Sequence, residues 1–385
     1  MKTVFSYALA LCLGLLIIAP PIGYAIPVIV NSFHWVYMVV VTGLLGMFLC
    51  TRALHWSLKW LSVYLLATCF LSQSPATSFN AYVLVVVCLF FFLAFQRADF
   101  RVVTSVVEAA FWLEVVLTAF QLCGMDTLLR FGIHESLFQE MRPEKVFLGT
   151  VMQHMRFASV LAIMTPILVL KSRWYLLPIG VLCVLSGSSA FALSLALGSA
   201  VYFIVNPSWR YWRSKALFLV VSITVAYAIW DNGSFRTALL EGRIPVWWVI
   251  VKTWALNTLN AAPPAPLWGP IDWKCVFFGH GMDTFMPLFP IYKHDANPFP
   301  QAHNCWLQLL WEIGLIGFAL FTAFSVNLWM RLREHRLYLH LAGLAVIGTN
   351  MFLAFPTRMT QTILLMVAFV ALCEKTLKPI EDRLG

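Results

Sequence analysis

His303-Asn304-Cys305-Trp306-Leu307-Gln308-Leu309-Leu310-Trp311-Glu312-Ile313-Gly314-Leu315-Ile316-Gly317 opens an apolar run that continues to residue 330. A helix of about 20 apolar residues crosses a bilayer, so 304–330 reads as one span. Asn304, Gln308 and Glu312 recur every four residues and share one helical face. Such a polar stripe is costly in a membrane unless it faces the bundle interior or a wet cavity. Two readings follow. The stripe orients His303 or lines a groove, or it makes interhelical hydrogen bonds. Gly314 and Gly317 read as positions of close helix packing.

The rest of the chain agrees with a membrane setting. Of 385 residues, 61% are hydrophobic and 11% charged, against about 25% charged in soluble domains. The apolar runs are continuous and lack two-residue alternation, which points to an all-α bundle over a β-barrel. About twelve spans are expected, at 4–22, 33–50, 57–74, 79–96, 102–123, 153–170, 174–187, 189–205, 216–230, 304–330, 337–355 and 360–373. Ser186-Gly187-Ser188-Ser189 is either a tight turn between two short spans or a break in one long span. The net charge of +9 does not point to nucleic acid, because the basic residues sit in short loops, as the positive-inside bias requires. The nine cysteines are scattered and form no CxxC, so no zinc site is expected. Cys275 and Cys305 either pair or remain two thiols.

With the N-terminus inside, Lys59, Arg97, Arg101, Lys171, Arg173, Arg331, Arg333, Lys375 and most other basic residues fall on the cytoplasmic side. Two long outer segments remain, 124–156 and 231–303, within a single integral-membrane domain of residues 1–385. The large outer loop precedes span ten. Gly242-Arg243-Ile244-Pro245 reads as a helix start, followed by a Trp-rich helix lying in the interface. Arg243 at that N-terminus suits an anion, through the free amides and the planar guanidinium. Interfacial pairing with lipid phosphate is the competing reading. Gly279-His280-Gly281 reads as a turn. A histidine in a cationic site is kept neutral by its neighbours and can act as a general base on a hydroxyl. His280, His294 and His303 all qualify, and spacing does not choose between them. Arg156 opens span six. Glu108 and Glu114 lie inside span five with no partner visible in the sequence.

Gly242-Arg243-x-x-x-Trp247, Gly279-x-Gly281-x-x-x-Phe285 and His303-Asn304-x-x-Leu307-Gln308-x-x-x-Glu312-x-Gly314-x-x-Gly317 resemble the O-antigen ligase and polymerase family. The resemblance covers about 230–320 and extends faintly over 147–166. It implies a multi-pass protein of the bacterial inner membrane, with cytoplasmic termini and a periplasmic active site. It further implies an inverting, metal-independent glycosyltransferase without a cofactor. The donor would be a glycan on undecaprenyl pyrophosphate and the acceptor lipid A-core, a second lipid-linked glycan or a protein. His303 and Arg243 take the catalytic places. Arg236, Arg243 and Arg156 are the expected pyrophosphate ligands, with Asn304, Gln308 and Glu312 in support. One departure stands out. Many members carry Ser-Arg-Gly after the seventh span, whereas Ser186-Gly187-Ser188-Ser189-Ala190 has no arginine. Ligation to lipid A-core is the leading expectation. Repeat-unit polymerisation, protein glycosylation and, outside enzymes, anionic-lipid transport are the alternatives.

Overall fold

The computed structural model describes residues 55–123, 154–186, 188–206, 243–256, 271–285, 302–354 and 360–384, with a few isolated positions besides. All regular structure among them is helical. The helices are α1 (Trp56–Leu71), α2 (Pro75–Arg97), α3 (Phe100–Leu122), α4 (His154–Lys171), α5 (Leu176–Ser186), α6 (Ser189–Val205), α7 (Ile244–Leu256), α8 (Trp273–Phe278), α9 (Cys305–Glu334), α10 (Tyr338–Leu353) and α11 (Thr360–Leu384). By length and composition, α2, α3 and α9 are able to cross a membrane, and α1, α5, α6 and α10 are shorter apolar helices. The expected spans at 4–22 and 33–50, and most of 216–230, lie outside the described residues, as does all of 124–153.

Local sequence explains where the helices start. Pro75 opens α2 without wasting an amide. Asp99 caps α3 by accepting from the Arg101 amide at 2.9 Å, and Ser188 caps α6 through the Phe191 amide. Outward faces stay apolar, as at Phe90, Trp112 and Val116, which is the pattern of helices hydrophobic on all sides.

α5 ends at Ser186 and α6 begins at Ser189, with the Ser188 amide donating to the Ser186 hydroxyl at 3.3 Å. Ala190 packs with Leu353 and Ala354 at one end of α10, while Gly198 abuts Val346 and Ala342 further along. Thus α6 runs antiparallel to α10. At the opposite end of this pair, Leu176 of α5 shares a small groove with Leu339 and Ser199, so α5 and α6 also run in opposite directions. A side chain at Gly198 would collide with Val346 Cγ2 at 2.3 Å, and this small residue permits the close α6–α10 contact.

One end of the bundle collects charge. Arg331 of α9 forks onto Glu374 and Glu381 of α11, with Nη1 and Nε each 2.8 Å from a carboxylate oxygen. Lys375 donates to the Ala98 carbonyl between α2 and α3. Glu108 pairs with Lys171 and accepts from the Tyr175 hydroxyl, which supplies the partner the sequence did not name. Glu114 is fully buried.

The long helix α9 is not continuous. Gly314 sits at φ 63°, ψ −175°, a region open essentially to glycine alone. Gly314 permits the expected close packing, since a Cβ there would lie 2.4 Å from the Phe277 carbonyl oxygen, and it also breaks the helix. Gly317 does serve close packing, since a Cβ there would lie 2.6 Å from the Tyr64 ring.

Candidate functional site

The break at Gly314 releases carbonyls that an unbroken helix would use internally. A turn after α8 takes them up. The His280 amide donates to the Trp311 carbonyl and the Gly281 amide to the Glu312 carbonyl, both at 3.0 Å. The Tyr64 hydroxyl donates to the Ile313 carbonyl at 2.8 Å. On its other side the turn is tied to the loop between α1 and α2. The Gln73 amide and the Ser72 hydroxyl both donate to the His280 carbonyl, and the Ser78 hydroxyl donates to that of Met282. Gly279-His280-Gly281, read from sequence as a plain turn, is a wedge that completes a broken helix.

From this wedge a packed path leads to His303. The His280 ring lies flat on Trp311, centroids 4.0 Å apart and planes 20° apart. Trp311 clusters with Phe285, Val246, Ile250 and Ala302. The indole of Trp247, one turn into α7, donates to the Ala302 carbonyl at 2.9 Å. That bond joins the start of α7 to the residue preceding His303. Arg243, directly before α7, donates from Nη1 to the Leu353 carbonyl at the end of α10, at 2.7 Å. Trp247 also packs edge-on against Phe352. Arg243, Trp247, Ala302, His303 and Leu353 thus meet at the end of the bundle opposite Arg331, with Ala190, in the first turn of α6, beside Leu353.

His303 has φ 49°, a left-handed conformation uncommon outside glycine. Burial pushes its imidazole down to about 4, and the Arg243 charge adds to the effect. Burial, rather than the neighbouring cation the sequence pointed to, is the larger cause of this depression. Burial also lowers the Arg243 guanidinium. Asn304 caps α9, its side-chain oxygen accepting from the Leu307 amide at 3.1 Å. Gln308 Nε2 donates to Glu312 Oε1 at 2.9 Å, and the Phe285 backbone hydrogen-bonds the same carboxylate. The polar stripe is therefore buried and bonded within its own helix and to the wedge.

The remaining candidates separate from this cluster. His280 is fully buried, and burial pushes its imidazole down to about 4. It stands behind Trp311, away from Arg243. Arg156 lies in the first turn of α4, and its side chain is outside the described residues. Arg236 and His294 also lie outside them. Cys275 and Cys305 are separate buried thiols, the first near Asp272 and the second facing the Ala354 carbonyl. Among the described residues no group of three or more His, Cys, Asp or Glu side chains is placed to hold a metal.

Sequence reasoning missed two features. The wedge carried a signal in the paired glycines at 279 and 281. The Leu353 carbonyl carried none, because any residue supplies a backbone oxygen.

Two outcomes follow for the buried histidines. His280→Phe preserves the flat stack on Trp311 and is expected to keep the melting temperature in detergent close to that of wild type. His280→Ala is expected to lower the melting temperature in detergent. An equally severe effect of both would assign chemistry to the imidazole. Secondly, both His280 and His303 have folded values near 4 against an ordinary 6.5. The unfolded chain therefore binds more protons between these values. Their contribution to stability is complete above about 6.5 and is lost as pH falls toward 4, which a melting series from pH 7.5 to 4 would reveal. No protein-family model, curated protein or solved structure matches this chain.

Proposed function

We propose that this chain is a bacterial inner-membrane glycosyltransferase of the O-antigen ligase type. It transfers a glycan from undecaprenyl pyrophosphate to an acceptor hydroxyl on the periplasmic face, with lipid A-core as the acceptor. The proposal includes about twelve spans with cytoplasmic termini. The end bearing Arg331 and Lys375 then faces the cytoplasm, in keeping with the positive-inside bias.

One observation carries the reading. Arg243 and His303, distant in sequence, are held together at one end of an apolar bundle by the Arg243–Leu353 and Trp247–Ala302 bonds. These are the two residues that the motif resemblance ranks highest. A guanidinium that spends only Nη1 on a partner among the described residues, beside an imidazole held low, suits attack by an alcohol with departure of a pyrophosphate.

In this mechanism the acceptor oxygen bonds to the anomeric carbon from the face opposite the pyrophosphate. The carbon–oxygen bond to pyrophosphate breaks, and the bonding pair leaves with the lipid. Arg243 meets the developing negative charge. His303 orients the hydroxyl and takes its proton as the new bond forms. With its imidazole near 4, His303 is a weak base, and the anionic donor offsets the Arg243 charge, the smaller of the two causes of that depression. The leaving group needs no proton donor.

Reconstituted wild-type protein is expected to move glycan from the lipid pyrophosphate to lipid A-core, and His303→Ala, at equal abundance, to move none. Near-wild-type transfer by that variant would sink the assignment. A deletion strain separates ligation from polymerisation: loss of all lipid A-linked polymer supports ligation, while a single repeat retained on the core supports polymerisation.

A further inference from the structure

Asn304 performs one task that any short polar residue could perform. Its Oδ1 caps α9 through the Leu307 amide, and serine or aspartate caps a helix about as well. Asparagine brings an additional N–H donor. Asn304 is 1% exposed, and its Nδ2 has no hydrogen-bond partner among the described residues. One turn on, Gln308 is 4% exposed. Its Nε2 is engaged by Glu312, which leaves Oε1 buried and without a partner among the described residues. Unpaired buried polar atoms cost stability and call for an explanation. Here one open donor and one open acceptor lie four residues apart on one helical face, about 6 Å between Cβ atoms. They adjoin His303, whose backbone is itself held in a left-handed conformation.

We infer that Asn304 Nδ2 and Gln308 Oε1 form the seat for a second hydroxyl of the acceptor, next to the one that reacts at His303. A hydroxyl matches this pair: its oxygen accepts from Nδ2 while its hydrogen is donated to Oε1. An ether or a carboxylate offers no hydrogen to Oε1, and an ammonium offers no lone pair to Nδ2. The acceptor class is therefore a sugar with a free hydroxyl neighbouring the transfer position. The seat rests on the proposed transfer for its biological role, although not for its hydrogen-bonding chemistry.

The experiment uses full-length protein in liposomes with lipid A-core and synthetic analogues lacking each hydroxyl next to the transfer position. Wild type is expected to prefer the parent over one deoxy analogue by about 10²-fold in kcat/KM. Asn304→Ser retains a capping oxygen and loses the amide donor. It is expected to narrow that preference to about threefold and to raise KM for the acceptor while leaving KM for the donor unchanged. Asn304→Asp, which also keeps the cap, should act likewise and guards against a folding defect in the serine variant. Retention of the wild-type preference in both folded variants overturns the seat, as does equal use of every deoxy analogue by wild type. A parallel binding series reads tryptophan fluorescence without turnover. Discrimination in binding without any wild-type transfer would remove the proposed reaction and leave the seat standing. Equal binding of parent and analogues overturns the seat.

Discussion

Arg243→Lys is expected to lower glycan transfer roughly 10²-fold with the protein still folded, the scale on which loss of one charge-stabilising donor acts. Nη1 of Arg243 holds the Leu353 carbonyl at 2.7 Å, and in the proposed reaction the rest of the planar fork meets the pyrophosphate. A lysine ammonium keeps the charge and has no second arm, so it satisfies the carbonyl or the pyrophosphate but not both with the same geometry. Arg243→Gln removes the charge as well. Because Arg243 adds to the depression of His303, the acid limb of kcat/KM should lie near pH 4 in wild type and move upward in Arg243→Gln. The rate at saturating donor and the pH profile of each variant provide the check. Near-wild-type transfer by Arg243→Lys would reduce the residue to an interfacial anchor.

Gly279→Ala is expected to destabilise the fold by about 3 kcal/mol or more and to abolish transfer with it. Gly279 sits at φ 74°, ψ −176°, a combination that L residues scarcely adopt. A Cβ there would lie 2.3 Å from the Glu312 carbonyl oxygen and 2.6 Å from the Gly314 amide nitrogen. Both obstacles are backbone, so no rotamer change relieves them. The wedge would have to withdraw, exposing the Trp311 and Glu312 carbonyls inside an apolar bundle. The melting temperature in detergent and the yield of folded protein are the readouts. An unchanged melting temperature would mean that the wedge does not support the fold.

Several parts of this arrangement were legible in the chain. The apolar runs set helix positions to within a few residues, from Trp56–Leu71 to Cys305–Glu334, because segments with this composition must bury their polar backbone within helices. Gly242 and Pro245 marked the start of α7, and Asn304 that of α9, because caps are local chemistry. The four-residue rhythm of Asn304, Gln308 and Glu312 placed them on one buried face before any coordinates.

Tertiary structure decided the rest. Spacing left His280 and His303 alike, with His294 outside the described residues. Packing put His280 behind Trp311 and His303 within the field of Arg243, because ring stacking and charge proximity depend on which segments meet. It also showed Gly314 to be a helix break, with the wedge as its complement, since a glycine's role follows from its dihedrals and from the backbone it faces. The stretch from His303 to Gly317 by itself determined a helix with one polar side entering an apolar bundle. Its partners, Arg243 through Leu353 and Trp247 through Ala302, are held by bonds to backbone carbonyls. Every residue carries such a carbonyl, so only the fold could select which of them would serve.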